Sequence, residues 1–184
     1  MFYRRILTAA AITLSLGTAA AQADNPMVGG AAMYEDRNIV ENAVNSADHS
    51  TLVAAVKAAG LVDTLSSEGP FTVFAPTNDA FAALPDGTVE SLLQPENKDQ
   101  LTRILTCHVI GAEAMSGAIA QMVADDGGMH PVTTVGGCEF TVMTDGDDIK
   151  IEDGQGRVAT VTIADVDQSN GVIHVIDTVL LPAS

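Results

Sequence analysis

Two apolar runs with sharp ends stand out along the chain. Residues 71–75, Phe-Thr-Val-Phe-Ala, carry Phe71, Val73 and Ala75 at alternate positions. The run from Gly171 to Leu181 is almost wholly apolar. Both predict buried strands. Around the first run, apolar residues recur at helical spacing. Ile39, Val40, Ala43 and Val44 mark one segment within Asn38 to Asn45. Leu52, Val53 and Val56 mark a second, with Ser50 placed to cap it and Gly60 to end it. Leu61, Val62 and Leu65 continue as a short helical turn before the break at Gly69-Pro70. Thr77 is placed to cap a helix carrying Ala80, Phe81 and Leu84. Asn97 and Gln100 form a capping-box pattern ahead of Leu101, Ile104 and Leu105. Cys107 to Ile110 reads as a short strand, and Ser116 as the cap of a helix with Ile119, Met122 and Val123 inward.

After Gly127 the period falls to two. Residues 132–135, 138–144, 149–152 and 158–163 predict strands. Gly136-Gly137, Asp145-Gly146 and Asp153-Gly154-Gln155-Gly156 supply hairpin turns between them. A mostly helical first half followed by a mainly antiparallel second half predicts an α+β fold, with the strand at 71–75 tying the halves together. The core is expected to include Phe71, Val73, Phe81, Leu101, Ile104, Ile173, Val175 and Val179.

The first residues change the picture. Arg4 and Arg5 precede an apolar stretch from Ile6 to Ala20, and Ala21-Gln22-Ala23 is a small-x-small cleavage pattern. Residues 1–23 are therefore expected to be a signal peptide, cleaved after Ala23; Sec-type export is the main reading, and the arginine pair leaves a twin-arginine route open. The stretch is too short and too rich in Ala and Thr to span a membrane. Residues 24–36 read as a flexible arm and 37–184 as one domain. Removing the leader leaves six basic against 24 acidic residues. Such a surface repels phosphate backbones and anionic lipid, which argues against nucleic-acid binding. The charge reads as solubility, or as a surface for a cationic partner or divalent ions.

Three segments together resemble the fasciclin (FAS1) domain. They are Phe71-Thr-Val-Phe-Ala-Pro-Thr-Asn-Asp-Ala-Phe81, Leu105-Thr-Cys-His-Val109 and Asn170-Gly-Val-Ile-His-Val-Ile-Asp177, preceded by a similar early helix at 51–61. The resemblance runs from about Arg37 to Pro182. It implies a wedge-like α+β fold and a secreted or surface-anchored module for cell adhesion or matrix contact, in the manner of single-domain bacterial members. The resemblance also implies a partner-binding edge. The family's Tyr-His pair corresponds to Cys107-His108, and its Asp-Ile pair to Asp165-Val166. His108, Asp165 and Val166 are thus the expected contact residues, with the tyrosine replaced. A structural histidine satisfied by a backbone carbonyl on a half-buried strand is the simpler reading of His108.

No catalytic, cofactor or metal residues emerge. There is no Gly-x-Ser-x-Gly elbow, and Gly154-Gln-Gly156 sits between strands. Asp145-Gly-Asp-Asp148 fails the EF-hand pattern, having Lys150 and Gly156 at the sixth and twelfth positions. His174 reads as a core histidine, and His49 and His130 as solvated turn residues. Cys107 and Cys138 are expected to form a disulfide in an oxidising compartment; two buried free thiols are the alternative. The sequence thus predicts a monomeric, exported, non-catalytic module whose partner is a surface protein, matrix or polysaccharide component. The alternative is an exported small-ligand or cation-binding protein.

Overall fold

A computed structural model describes residues 25–183. The expected leader and its cleavage site lie outside the described residues. Strands β1 (Met27–Val28) and β2 (Ala31–Ala32) open the described chain. Helices α1 (Ile39–Ala43), α2 (Ser50–Ala59) and α3 (Val62–Leu65) precede β3 (Phe71–Pro76). Helices α4 (Asn78–Ala82), α5 (Thr88–Leu92) and α6 (Lys98–Cys107) lead to β4 (Val109–Ile110). Helix α7 (Ser116–Asp125) is followed by β5 (Met129–Thr133), β6 (Glu139–Asp145), β7 (Asp148–Glu152), β8 (Val158–Gln168) and β9 (Gly171–Ile176). The fold is α+β, as the change of period predicts.

The two apolar runs become neighbouring central strands. The seven-stranded order is β4-β3-β9-β8-β7-β6-β5. Only β3 and β9 pair in parallel, with Phe74 opposite His174; all other neighbours are antiparallel. This central pair is covered on both faces, which is why its sequence is a run and not an alternation. Val73, Ala75, Ile173 and Val175 face a cluster built with residues of α1, α2, α4 and α6. Phe74 and Ile176 face a second cluster with Phe140, Val142, Ile149, Ile151, Ala159 and Val161, to which α7 adds Ile119 and Val123.

The sheet curls until its two ends meet. Val135 N–H donates to Val109 C=O at 2.8 Å, and Gly136 N–H to Thr106 C=O at 3.0 Å. The Cys107–Cys138 disulfide, with Cα atoms 5.4 Å apart, bridges the same seam. Its closed loop of 31 residues is worth about 3–4 kcal/mol in the chain-entropy model. Gly136 is required there, because a Cβ would stand 2.6 Å from Thr106 Oγ1 and 2.8 Å from Cys107 N.

Several local expectations need correction. Residues 24–36 were expected to be loose, yet β1 and β2 pair as a hairpin and bury Val28 and Met33 against the core. Strands of two residues are too short to show a period. Cys107 and His108 do not start a strand; they end α6, so the apolar stretch belongs to a helix terminus. The Asn97–Gln100 box does not form, because Asn97 Nδ2 donates to Ser91 C=O at 2.7 Å beside the unforeseen helix α5. Ser50 lies inside α2, and its hydroxyl donates to Asn78 Oδ1 at 3.3 Å. At α1, Asn38 and Glu41 do form a reciprocal capping box.

Seven of the eight expected core residues are buried; Phe71 is only half-buried at the open end of β3. Phe74, on the opposite face, is 1 % exposed. Phe74→Ala should therefore cost about 3–5 kcal/mol in urea unfolding, clearly more than Phe71→Ala. Equal losses would mean that β3 presents its faces the other way round.

Candidate functional site

Strand β8 is long because it is interrupted. Its pairing with β9 shifts register twice, between Val161 and Ile163 and between Ile163 and Val166. The extra residues push Thr162 and Ala164 to the surface and bend the strand. At the second bulge Asp165 has φ 55°, the one positive φ of a non-glycine residue among the described residues. Aspartate tolerates this conformation better than most side chains, and three hydrogen bonds hold it. Its carboxylate accepts from Ser116 N at 2.6 Å and from the Ser116 hydroxyl. Its own N–H donates to His174 Nδ1 at 3.2 Å. Asp165 thus caps the first turn of α7 from another element, satisfying an orphan amide and meeting the positive end of the helix.

His174 is fully buried, stacks on Phe74 with centroids 5.8 Å apart, and donates through Nε2 to Ala114 C=O at 2.8 Å. Both ring nitrogens are occupied by backbone groups, which fixes one neutral tautomer. Ser116, Asp165 and His174 are therefore neighbours without being a triad. The serine hydroxyl points to the carboxylate, and neither imidazole nitrogen is free to take its proton.

His108 is also buried, not on a half-buried strand but at the end of α6. Its Nδ1 donates to Ile104 C=O at 2.8 Å, and its Nε2 accepts from Leu180 N at 2.9 Å. A backbone carbonyl does satisfy it, with a backbone amide at the other nitrogen. Of the expected contact residues, His108 and Val166 expose 2 % and 0 %, and Asp165 is partly exposed. His108 lies with α6 and the C-terminal segment, and Asp165 with Ser116 and His174. No hydrogen bond joins them.

Two buried groups were misread or missed in the sequence. His49, expected in solvent, is 3 % exposed; Ser46 Oγ lies 2.8 Å from its Nδ1, and Nε2 has no hydrogen-bond partner among the described residues. Asp153 was read only as a turn residue. Its carboxylate accepts from Gln155 N, Arg157 N, Leu181 N and the Arg157 guanidinium. Opposite charges four residues apart across a glycine turn were the available signal. His130 is half-buried, with Nδ1 2.6 Å from Asp126. Among the described residues no group of three or more His, Cys, Asp or Glu is placed to hold a metal ion. Asp145 of the acidic turn is paired with Lys150. An apolar cavity between α1, α2, β3 and α6 measures about 40 Å³, room for a few waters at most and not for an organic ligand.

Burial pushes all three core histidines below their ordinary value, His108 to about 4. Backbone carbonyls at Ile104 and Ala114 oppose this for His108 and His174 without cancelling it. Burial raises Asp153, but the amides of Leu181, Arg157 and Gln155 and the Arg157 side chain outweigh it, holding the carboxyl below its ordinary 3.8. The unfolded histidines bind protons near pH 6.5 and the folded ones do not, so their contribution is complete above about 6.5 and is lost as pH falls. Asp153 loses its share only at lower pH. The urea midpoint should be flat near neutrality and fall between about pH 6.5 and 4, with His108 alone worth about 3 kcal/mol. A midpoint constant down to pH 4 would contradict neutral burial.

Asp165→Ala should lower stability by about 1–2 kcal/mol through loss of the α7 cap. Combined with Ser116→Ala, the losses should be less than additive in thermal melts, because both remove one interaction. Additive losses would show that the Ser116 hydroxyl has no share in the Asp165 cap.

Residues 47–182 match the family model for the fasciclin domain. Protein sll1483 of Synechocystis sp. is 52% identical over 163 residues, spanning 85% of this chain and 79% of that protein. Cell surface glycolipoprotein MPB83 of Mycobacterium bovis is 34% identical over 180 residues, spanning 94% and 74%. A solved FAS1 domain pair from the insect cell adhesion molecule fasciclin I superposes with a TM-score of 0.71 at 19% identity, covering 79% of this chain and 51% of that one.

Proposed function

The chain belongs to the fasciclin domain family, and from that premise we propose that it is an exported, non-catalytic module for adhesion or surface and matrix contact. The observation that carries this reading is the state of its reactive side chains. The Ser116, Asp165 and His174 neighbourhood is committed to backbone hydrogen bonds and a helix cap. What the domain offers outward is shape: a bulged strand with Thr162 and Ala164 at the surface beside a partly exposed Asp165. The resemblance to a cell surface glycolipoprotein and to a cell adhesion molecule favours the same reading. No helix among the described residues is long and apolar enough to cross a membrane. The partner is proposed to be a surface protein, matrix or polysaccharide component. The alternative, a small-ligand carrier, would have to use an open surface groove, because the enclosed apolar cavity is too small for an organic ligand.

Export is proposed to depend on residues 1–23, with a mature chain starting at Asp24. A deletion strain complemented with the parent or with Ala164→Arg tests the whole reading. The parent should restore attachment to a surface or matrix. Ala164→Arg should fail to do so, while changing stability by no more than about 0.5 kcal/mol, as an exposed substitution does. Attachment that survives deletion of the gene would remove the adhesion reading. Attachment that survives Ala164→Arg would move the contact away from the bulge.

A further inference from the structure

The chain does not end at β9. Residues 177–183 run on as a strap without regular structure, and four side chains from other elements hold it. Leu180 N–H donates to His108 Nε2 at 2.9 Å. Leu181 N–H donates to Asp153 Oδ2 at 3.0 Å. Arg157 Nη2 donates to Val179 C=O at 2.6 Å, and Gln155 Nε2 to Pro182 C=O at 3.3 Å. Two strap residues are anchors: Val179 enters the helix-side cluster and Leu180 the sheet-side cluster, at 1 % and 0 % exposure. The strap also forms one wall of a surface groove of about 590 Å³, whose opposite wall is Leu92, Arg103 and Ile104.

Of the four holding groups, His108 bonds the strap through a ring nitrogen that one proton converts from acceptor to donor. Ile104 C=O can only accept, so His108 Nδ1 must carry a hydrogen. Leu180 N–H can only donate, so Nε2 must carry none. A proton on Nε2 would set two donors against each other at 2.9 Å in a site closed to water. We propose that His108 is an acid-operated latch that releases the strap when its Nε2 is protonated, opening the groove wall and uncovering the seats of Val179 and Leu180.

The charged groups around His108 do not defeat this. On the turn between β7 and β8, Asp153 favours its protonation and Arg157 opposes it. Lys57 of α2 lines the same small cavity. On α6 itself Lys98, Asp99 and Arg103 are exposed. On the strap Asp177 is engaged by Thr160 N at 2.8 Å. Strands β3 and β4 contribute no charged residue. Burial pushes His108 down to about 4, and Asp153 is held below its ordinary value; the His108→Gln variant separates the two grips.

Hydrogen exchange of the purified chain, stepped from about pH 7 to about pH 3.5 and corrected for intrinsic rates, reads the strap separately from the sheet. Peptides covering 177–183 should lose protection by about tenfold or more in the acid steps while β6 and β7 keep theirs. His108→Gln, whose amide oxygen can accept from Leu180 without titrating, should hold the strap at every step. Strap and sheet opening together, or a strap protected throughout in the parent, would overturn the proposal. So would an acid-labile strap in His108→Gln. If that variant does not fold, NMR of the parent decides: the Leu180 amide resonance must move with the titration of the His108 ring, and independent movement overturns the latch.

Discussion

The parallel pairing of β3 with β9 is the constraint on which the rest depends. It joins segments a hundred positions apart, Phe71 facing Gly171 and Pro76 facing Ile176. A parallel pair needs a crossover, and here the crossover is α4 through β8, more than half of the domain. Because the pair is central, both of its faces must be covered. The helices take one face and the curled outer sheet the other. Loop-closure entropy opposes bringing such distant segments together. The burial of Phe74, Val172, Val175 and Ile176 is the local gain that opposes it, and the disulfide shortens the intervening loop.

Closing a core on both faces traps polar groups, and the manner of their satisfaction decides what the domain can do. Asn170 accepts from Ile39 N and donates to Leu65 and Ser67 carbonyls, stitching the turn before β9 to the helices. Asn42 joins Tyr34 C=O and Gln168. His108 and His174 each accept one backbone amide and donate to one carbonyl, in opposite tautomers. A buried polar group left unpaired is costly, so such networks specify one packing. The same saturation takes these side chains out of chemistry. A proton acceptor already holding an amide is no general base, and a serine hydroxyl spent on a cap is no nucleophile.

What was legible in the sequence follows from this arrangement. The central strands were clear because double-sided burial writes an apolar run. Strands β6 and β7 were clear because one buried face writes an alternation, and their turns carry glycine. The disulfide was anticipated from a pair of cysteines in a chain expected to reach an oxidising compartment, and it joins two buried residues. The hairpin at 27–32 and helix α5 were not, being too short for a period to develop. His49 and Asp153 were missed for a different reason. Their burial comes from tertiary neighbours, Ser46 and Ala75 for one and the strap for the other, and local polarity signals the opposite. At the candidate edge, the resemblance points to His108, Asp165 and Val166, and the burial of His108 and Val166 shows that matching a motif does not establish exposure.

Asp165 shows how the inner network shapes the outer surface. Its left-handed backbone is held from inside, by Ser116 at its carboxylate and His174 at its amide. The strand is bulged on both sides of Ile163, and Thr162 and Ala164 stand in solvent there. A flexible loop could display the same residues, but a partner would then have to order it on binding. Here the ordering is done by folding, and the buried histidine is what fixes it. The residues that keep the surface in shape are therefore not the ones a partner would touch. Substitutions at His174 and Ser116 would act on contact only through the bulge they position.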